Sequence, residues 1–367
     1  MKRIAFLWVV LCVFGMKKMC AESWKWFNPQ TEKVSVIQNQ AFLNEIGNTY
    51  VRLPLRAKEV VRKKVWDLSR HSAGLFIEFK TNSPELLVRY AVVDPIHRNH
   101  MPATGVSGID LYRENPEGEW QICHGSYAFG DTISYKYKLD YEEGKVKPLS
   151  YKLFLPLYNE VKWLGIGIQD SSSLQFLPSC LEKPIVVYGT SIVQGACASR
   201  PAMAWTTILH RWLDIPVINM GFSGNGKLET NVLDFLNEID ASMFVLDCMP
   251  NLTELSTEQV TQRVLEAVRQ IRKKHNAPIL LVEHLGYSNM FTNKHQYHRF
   301  SHTNKGAEDA YQQIKKQGIK NVFYLSSDDI DIPSDGRVDT VHPSDYGMVH
   351  LARIVKTKIC RILNISR

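Results

Sequence analysis

The sequence predicts two packed units of different class, an antiparallel β-sandwich over residues 22–182 and an α/β unit with a parallel sheet over residues 183–367. Three observations carry this. At 367 residues the chain is too long for one typical domain and suits two, each able to bury a core. The hydrophobic period changes near Pro184, from short strand-like runs to buried-strand runs alternating with amphipathic stretches. The first apolar run after that change stops at Gly189-Thr190-Ser191, while Asp339-Thr340-Val341-His342-Pro343 precedes the last helical pattern.

Taken in order, residues 1–21 read as an export signal. Lys2-Arg3 supply the charged start, residues 4–16 form an apolar stretch, and Ala21 is a small residue suited to cleavage. That stretch is short for a bilayer span. The rival is acylation at Cys20, which Lys18-Met19 just before the cysteine disfavour. The expected location is therefore periplasmic or secreted. No later segment is long and apolar enough for a transmembrane helix.

Residues 24–181 are strand-like. Runs at 75–79, 85–90, 151–155 and 161–168 are rich in aliphatic and aromatic residues, with turns such as Asn82-Ser83-Pro84 and Asn115-Pro116-Glu117-Gly118 between runs. The expectation is a sandwich of jelly-roll type. His97-Arg98-Asn99-His100-Met101-Pro102 forms a polar loop able to close over a neighbouring rim, which makes His97 and His100 candidate substrate contacts. Trp24, Trp26 and Phe27 suggest a sugar-stacking platform or packing at the domain junction, the second being the plainer reading.

After Pro184 the predicted strands are 185–188, 217–220, 243–246, 279–282 and 322–325. The intervening helices fall at 203–213, 228–239, 257–274, 306–317 and 346–363. Five βα units imply a parallel sheet with helices on both faces and a site beyond the strands' carboxyl ends. Ser191 follows the first strand and His342 precedes the last helix, so both reach that rim.

A serine at a strand end is by itself a turn residue. Joined by His342 and by Asp339 three residues upstream, it supplies a nucleophile, a base and an orienter for acyl transfer. The GxSxG elbow of α/β-hydrolases is absent, the local pattern being Gly189-Thr190-Ser191-Ile192-Val193-Gln194-Gly195. Gly221-Phe222-Ser223-Gly224-Asn225-Gly226 follows the second strand and Asp247-Cys248-Met249-Pro250-Asn251 the third. Glu283-His284 ends the fourth strand and is a candidate for substrate contact, with a loop histidine hydrogen-bonded to the protein as the plainer reading. His295, His298 and His302 have helical spacing, but without accompanying cysteine or carboxylate ligands they read as a solvated face.

In this order the blocks resemble the SGNH (GDSL-like) hydrolase superfamily, and Gly108-Ile109-Asp110-Leu111-Tyr112 is similar to the GxDLY motif of the domain preceding one secreted bacterial branch. The resemblance implies a flavodoxin-like three-layer αβα sheet with Ser191 as nucleophile and Asp339 and His342 as its partners. It further implies an oxyanion hole from Ser191, Gly224 and Asn251. Two departures stand out: Thr190 replaces the Asp of GDS, and the GxND block becomes Asp247-Cys248-Met249-Pro250-Asn251.

The expected function is a serine esterase removing small acyl groups, typically acetyl, from carbohydrate, with no cofactor and no metal. A lipase or thioesterase of the same mechanism, a non-catalytic carbohydrate-binding protein and a peptidase are the rivals. Without residues 1–21 the chain carries 40 basic and 37 acidic side chains, which with no basic stripe argues against a nucleic-acid partner. Cys123, Cys180, Cys197, Cys248 and Cys360 show no CxxC spacing, so no zinc site or disulfide framework is indicated.

Overall fold

In the computed structural model, which describes residues 23–139 and 147–366, the two halves of the chain have different sheet chemistry. Residues 1–21, read above as an export signal, lie outside the described residues. The first half forms two antiparallel sheets. One orders the strands Trp24–Phe27, Val161–Gln169, Glu85–Val92, Ile133–Lys138 and Gly125–Ala128. The other orders Leu174–Phe176, Phe76–Thr81, Leu149–Phe154, Asp110–Glu114 and Trp120–Ile122, with Ile37–Gln38 paired to Phe76–Thr81. Alternate residues such as Leu86, Val88 and Tyr90, facing Ile77, Phe79 and Leu153, fill the space between the sheets.

The second half is a five-stranded, wholly parallel sheet in the order Val217–Gly221, Ile185–Gly189, Met243–Asp247, Ile279–Val282, Val322–Leu325. The central strands are buried throughout, and apolar but for Asp247 at a carboxyl end, because both faces are covered. Val186 and Tyr188 face a core closed by Thr230–Leu236, Thr257–Arg272 and Lys294–Lys316. Ile185 and Val187 face the core under Trp205–Leu213 and Asp345–Leu363. Strand order reverses between Ile185–Gly189 and Met243–Asp247, so the crevice expected of such a sheet opens where Ser191 and Asn251 emerge.

Two elements depart from the sequence reading. The helix predicted over 306–317 begins at Lys294, because Asn293 caps it through Gln296 N and Arg299 ties its first turns to Thr253 and Glu254. Its start is too polar to show a hydrophobic stripe. The first half also contains the helix Lys63–Ser69. Phe42, Ile46, Val51, Leu53, Ala57, Val61 and Val65 from this region pack into the core of the parallel sheet.

The GxDLY segment joins the two sheet systems. Asp110 is buried and accepts hydrogen bonds from Arg200 Nη1 at 3.1 Å and Ala202 N at 2.7 Å, while Tyr112 Oη lies 2.9 Å from Arg200 Nη1. Thr104 Oγ1 donates to Ser199 O at 2.7 Å, and Ser199 in turn donates to Asp345 at the start of the last helix. The motif thus fastens the sandwich to the turn that follows the Ser191 helix, and Thr104 just before it reaches, through Ser199, the helix that follows His342. Trp24 and Trp26 belong to neither the junction nor the rim. Their rings lie over Gly165 and Gly167 at a sheet edge, with Arg89 over Trp26 and Lys136 over Trp24, which corrects the junction reading.

Candidate active site

Ser191 opens a short helix, Ser191–Gln194, directly beyond the strand Ile185–Gly189. Thr190 is the N-cap, its hydroxyl accepting from Ile192 N at 3.3 Å. A capping oxygen is what the Asp of GDS would also offer, so threonine keeps the turn with a neutral group. Gly195 ends the helix at φ +103°, where a side chain would also strike Ala204 and Leu157.

The three residues predicted to work together meet. Ser191 Oγ lies 2.8 Å from His342 Nε2. His342 Nδ1 lies 2.8 Å from Asp339 Oδ2 and 3.0 Å from Oδ1. The backbone N–H groups of His342 and Val341 also donate to Asp339 Oδ1, at 2.9 and 3.3 Å. Burial alone would raise the Asp339 carboxyl, but these hydrogen bonds and the His342 ring hold it below the usual range. It therefore stays ionised and fixes the proton of His342 on Nδ1, leaving Nε2 a lone pair towards the serine hydroxyl.

Gly224 sits at φ +67° in the turn after Val217–Gly221, and neither its N–H nor that of Ser191 has a protein acceptor among the described residues. Asn251 donates one amide hydrogen to Gly226 O at 3.2 Å, bracing this glycine turn and keeping a second hydrogen free. Close approach is built into the sequence at Gly221, where a Cβ would come within 2.2 Å of Gln194 N.

A relay invisible to local sequence reading supports the same turn from beneath. Gln194, fully buried, accepts from Ser223 N at 3.0 Å and donates to His71 Nδ1 at 3.0 Å. His71 Nε2 then donates to Asp94 at 3.1 Å, the acceptor role of Nδ1 fixing the tautomer. Tyr158 donates to Ser191 O at 3.2 Å. Arg52, buried without a carboxylate, donates to the carbonyls of His71, Leu68, Asn219 and Gly221, and burial pushes it down to about 9. Gln194 stood beside the nucleophile in sequence, but nothing local marks His71, Asp94 or Arg52, whose partners lie far along the chain.

The remaining candidates divide. His100 approaches the rim, its ring centroid 6.0 Å from that of His342. His97 and Arg98 line a cleft of about 700 Å³ together with His71, Asp94, Ser223 and Asn225. Another cleft of about 500 Å³, between Arg113, His124 and Lys136, contains none of the candidate residues. Glu283 and His284 do not line a site, correcting their assignment as substrate contacts. Glu283 is buried and accepts from Tyr324 Oη and from Ser327 N at 2.6 Å. His284 is 1% exposed, its Nδ1 accepting from Gly286 N at 2.9 Å, and burial with nearby Arg337 and Arg299 pushes it down to about 3. On the 294–316 helix His302 is wedged between the carbonyls of His298 and Leu255. Cys123, Cys180, Cys197 and Cys248 are free thiols.

Asp247 ends the strand next to Gly189 with both carboxylate oxygens buried and without a partner among the described residues. Burial pushes it up to about 7 from the usual 3.8. The unfolded chain loses this proton as pH rises past 3.8 whereas the folded chain keeps it until about 7, so stability drains away across that window and levels off above it. Asp247→Asn should therefore gain on wild type through that window, by up to about 4 kcal/mol. Urea unfolding at both ends of the window measures it, and a pH-independent difference would refute the buried ionisation.

Both halves of the chain are similar to known proteins. Residues 182–360 match the GDSL-like Lipase/Acylhydrolase family, and residues 24–174 match the GxDLY domain, the N-terminus of SGNH-hydrolase-type esterases. A GDSL-like lipase from Bacteroides ovatus is 30% identical over 94% of this chain and 99% of its own, with a TM-score of 0.85. A salicylyl-acyltransferase from a tetracycline biosynthetic pathway shares the fold at 16% identity and TM-score 0.72, over 92% of this chain and 97% of its own. A family two carbohydrate esterase from Clostridium thermocellum, solved with cellohexaose, does so at 14% identity and TM-score 0.54, over 80% and 93%. No curated protein sequence matches the chain. With a relative of that identity along nearly its whole length, and both halves matched, the chain belongs to the GDSL-like, SGNH-type hydrolases and is a carboxylic ester hydrolase.

Proposed function

We propose that the protein is an exported serine esterase that removes small acyl groups, acetyl foremost, from carbohydrate esters. The observation that carries this is the hydrogen-bonded chain Ser191–His342–Asp339 at the strand-switch crevice. His342 Nε2 takes the Ser191 proton as Oγ attacks the ester carbonyl, and Asp339 stabilises the imidazolium that results. The N–H groups of Ser191 and Gly224 and the free amide hydrogen of Asn251 receive the oxyanion, each donor typically worth about 10²–10³ in rate. His342 then protonates the departing alcohol, and water attacks the acyl-serine with the same base. The sugar portion would lie in the cleft beside Ser223, under His97 and Arg98.

Export is supported by the charged start and short apolar stretch of residues 1–21, with cleavage after Ala21. Among the described residues no helix is long and apolar enough to cross a membrane. The small-acyl preference is supported by the polar rim, where His97, Arg98 and His100 are exposed. Turnover of p-nitrophenyl acetate, butyrate and octanoate tests it. kcat/KM should fall as the acyl chain lengthens, and a maximum at octanoate would replace this reading with a lipase.

A further inference from the structure

Two residues at the rim take no part in the Ser191–His342–Asp339 chain. Cys197 lies in the turn after the Ser191 helix and His100 on the sandwich loop. With Asp339 and His342 they form a group in which one ligand atom from each residue lies within 4.8 Å of every other. Nitrogen, thiol sulfur and carboxylate oxygen together are the donor set of a four-coordinate zinc site. Such bonds are about 2.0–2.3 Å long, which places neighbouring ligands roughly 3.3–3.6 Å apart. The cluster must contract by about an ångström, within reach of a side-chain rotation of the exposed His100.

Placement of the thiol supports this. Cys197 is 6% exposed, with its backbone at φ +67°, a conformation L-residues rarely adopt. Its sulfur is aimed at the loop from the other sheet system, 3.6 Å from His100 O. That loop is anchored by Met101, 3% exposed in the core beneath the last helix, and by the Arg98–Met101 bridge. Three separate segments therefore bring these groups to one point, each fixed by buried neighbours.

We propose that His100, Cys197, Asp339 and His342 form an inhibitory Zn²⁺ site that shuts off the esterase. The inhibitory part rests on the catalytic reading above; binding of the metal does not. Coordination through His342 Nε2 would occupy the lone pair that takes the Ser191 proton, and coordination through Nδ1 would displace the proton that Asp339 holds. Either way the base is lost. Cys197 would bind as thiolate, its proton passing to solvent, and this soft ligand favours Zn²⁺ over Mg²⁺ or Ca²⁺.

The test uses metal-free full-length protein as wild type, Cys197→Ala, His100→Ala and Ser191→Ala, with Zn²⁺ in acetate-ester assays and Co²⁺ as a spectroscopic probe. Wild type should lose activity on titration with Zn²⁺ and regain it with EDTA, with Mg²⁺ inert. Cys197→Ala should keep its basal rate and require at least about 10-fold more Zn²⁺. Co²⁺ should give a thiolate-to-metal charge-transfer band in wild type and Ser191→Ala, absent from Cys197→Ala and displaced or weakened in His100→Ala. Equal Zn²⁺ inhibition of wild type and Cys197→Ala, or no thiolate band in wild type, would overturn the site. A cobalt band in a protein inert towards every ester would keep the metal site and overturn the catalytic reading instead.

Discussion

Ser191→Ala is expected to lower kcat on acetyl esters by about 10⁴–10⁶-fold while leaving the thermal midpoint where it is. The activity loss follows from the contact with His342 Nε2 at 2.8 Å: without Oγ there is no acyl-enzyme, and the base has nothing to deprotonate but water. Stability is spared because the hydroxyl's partner, His342, is partly exposed and its Nε2 can bond water instead, so no buried polar group is orphaned. The helix itself depends on the Thr190 cap and the Gly195 turn, neither of which the substitution touches. Steady-state turnover and thermal unfolding measured on the same preparations decide it. Activity within 10-fold of wild type in a folded variant would remove Ser191 from the mechanism.

Asp339→Asn should reduce kcat by about 10⁴-fold with little change in KM. Asparagine fits the same space and can still accept from His342 N and Val341 N. Its amide can, however, turn an N–H towards Nδ1, which places the imidazole proton on Nε2, pointing at the serine. The base is then in the wrong tautomer. Since the native carboxyl is held below the usual range by the groups around it, it remains charged throughout any practical assay range. Raising pH should therefore not change the wild-type advantage by titrating Asp339. Single-turnover acylation against pH measures this, and an Asn variant retaining a tenth of wild-type kcat would leave Asp339 only a structural part.

Much of the fold is legible locally. Five apolar runs, each broken by glycine or a polar turn, mark the parallel strands, and Ser256 with Gln259 forms a capping box at the start of Thr257–Arg272. The polar first turns of Lys294–Lys316 carry no apolar face, so that helix is underestimated by periodicity and set by Asn293 and by Arg299 reaching Thr253. Of the candidate site residues, Ser191, Asp339 and His342 announce themselves because the nucleophile ends a strand and the histidine precedes a helix. Glu283 and His284 occupy an equivalent strand end yet are turned inward, a difference of one side-chain direction that no local pattern records.

By itself, the sequence determined the class of both halves, the rim at which chemistry gathers and the acid–base pair three residues apart, because period, strand ends and helix starts depend on near neighbours. Tertiary structure alone decided which groups meet across the chain. It brings Ser191 to a histidine 151 residues away and passes Ser223 through Gln194 to His71 in the other half. It also fastens Asp110 to Arg200 and sets Cys197 and His100 beside the base. Those contacts come from the packing of separate cores against one another, and the free energy that selects them is shared over many buried side chains rather than stored in any short segment.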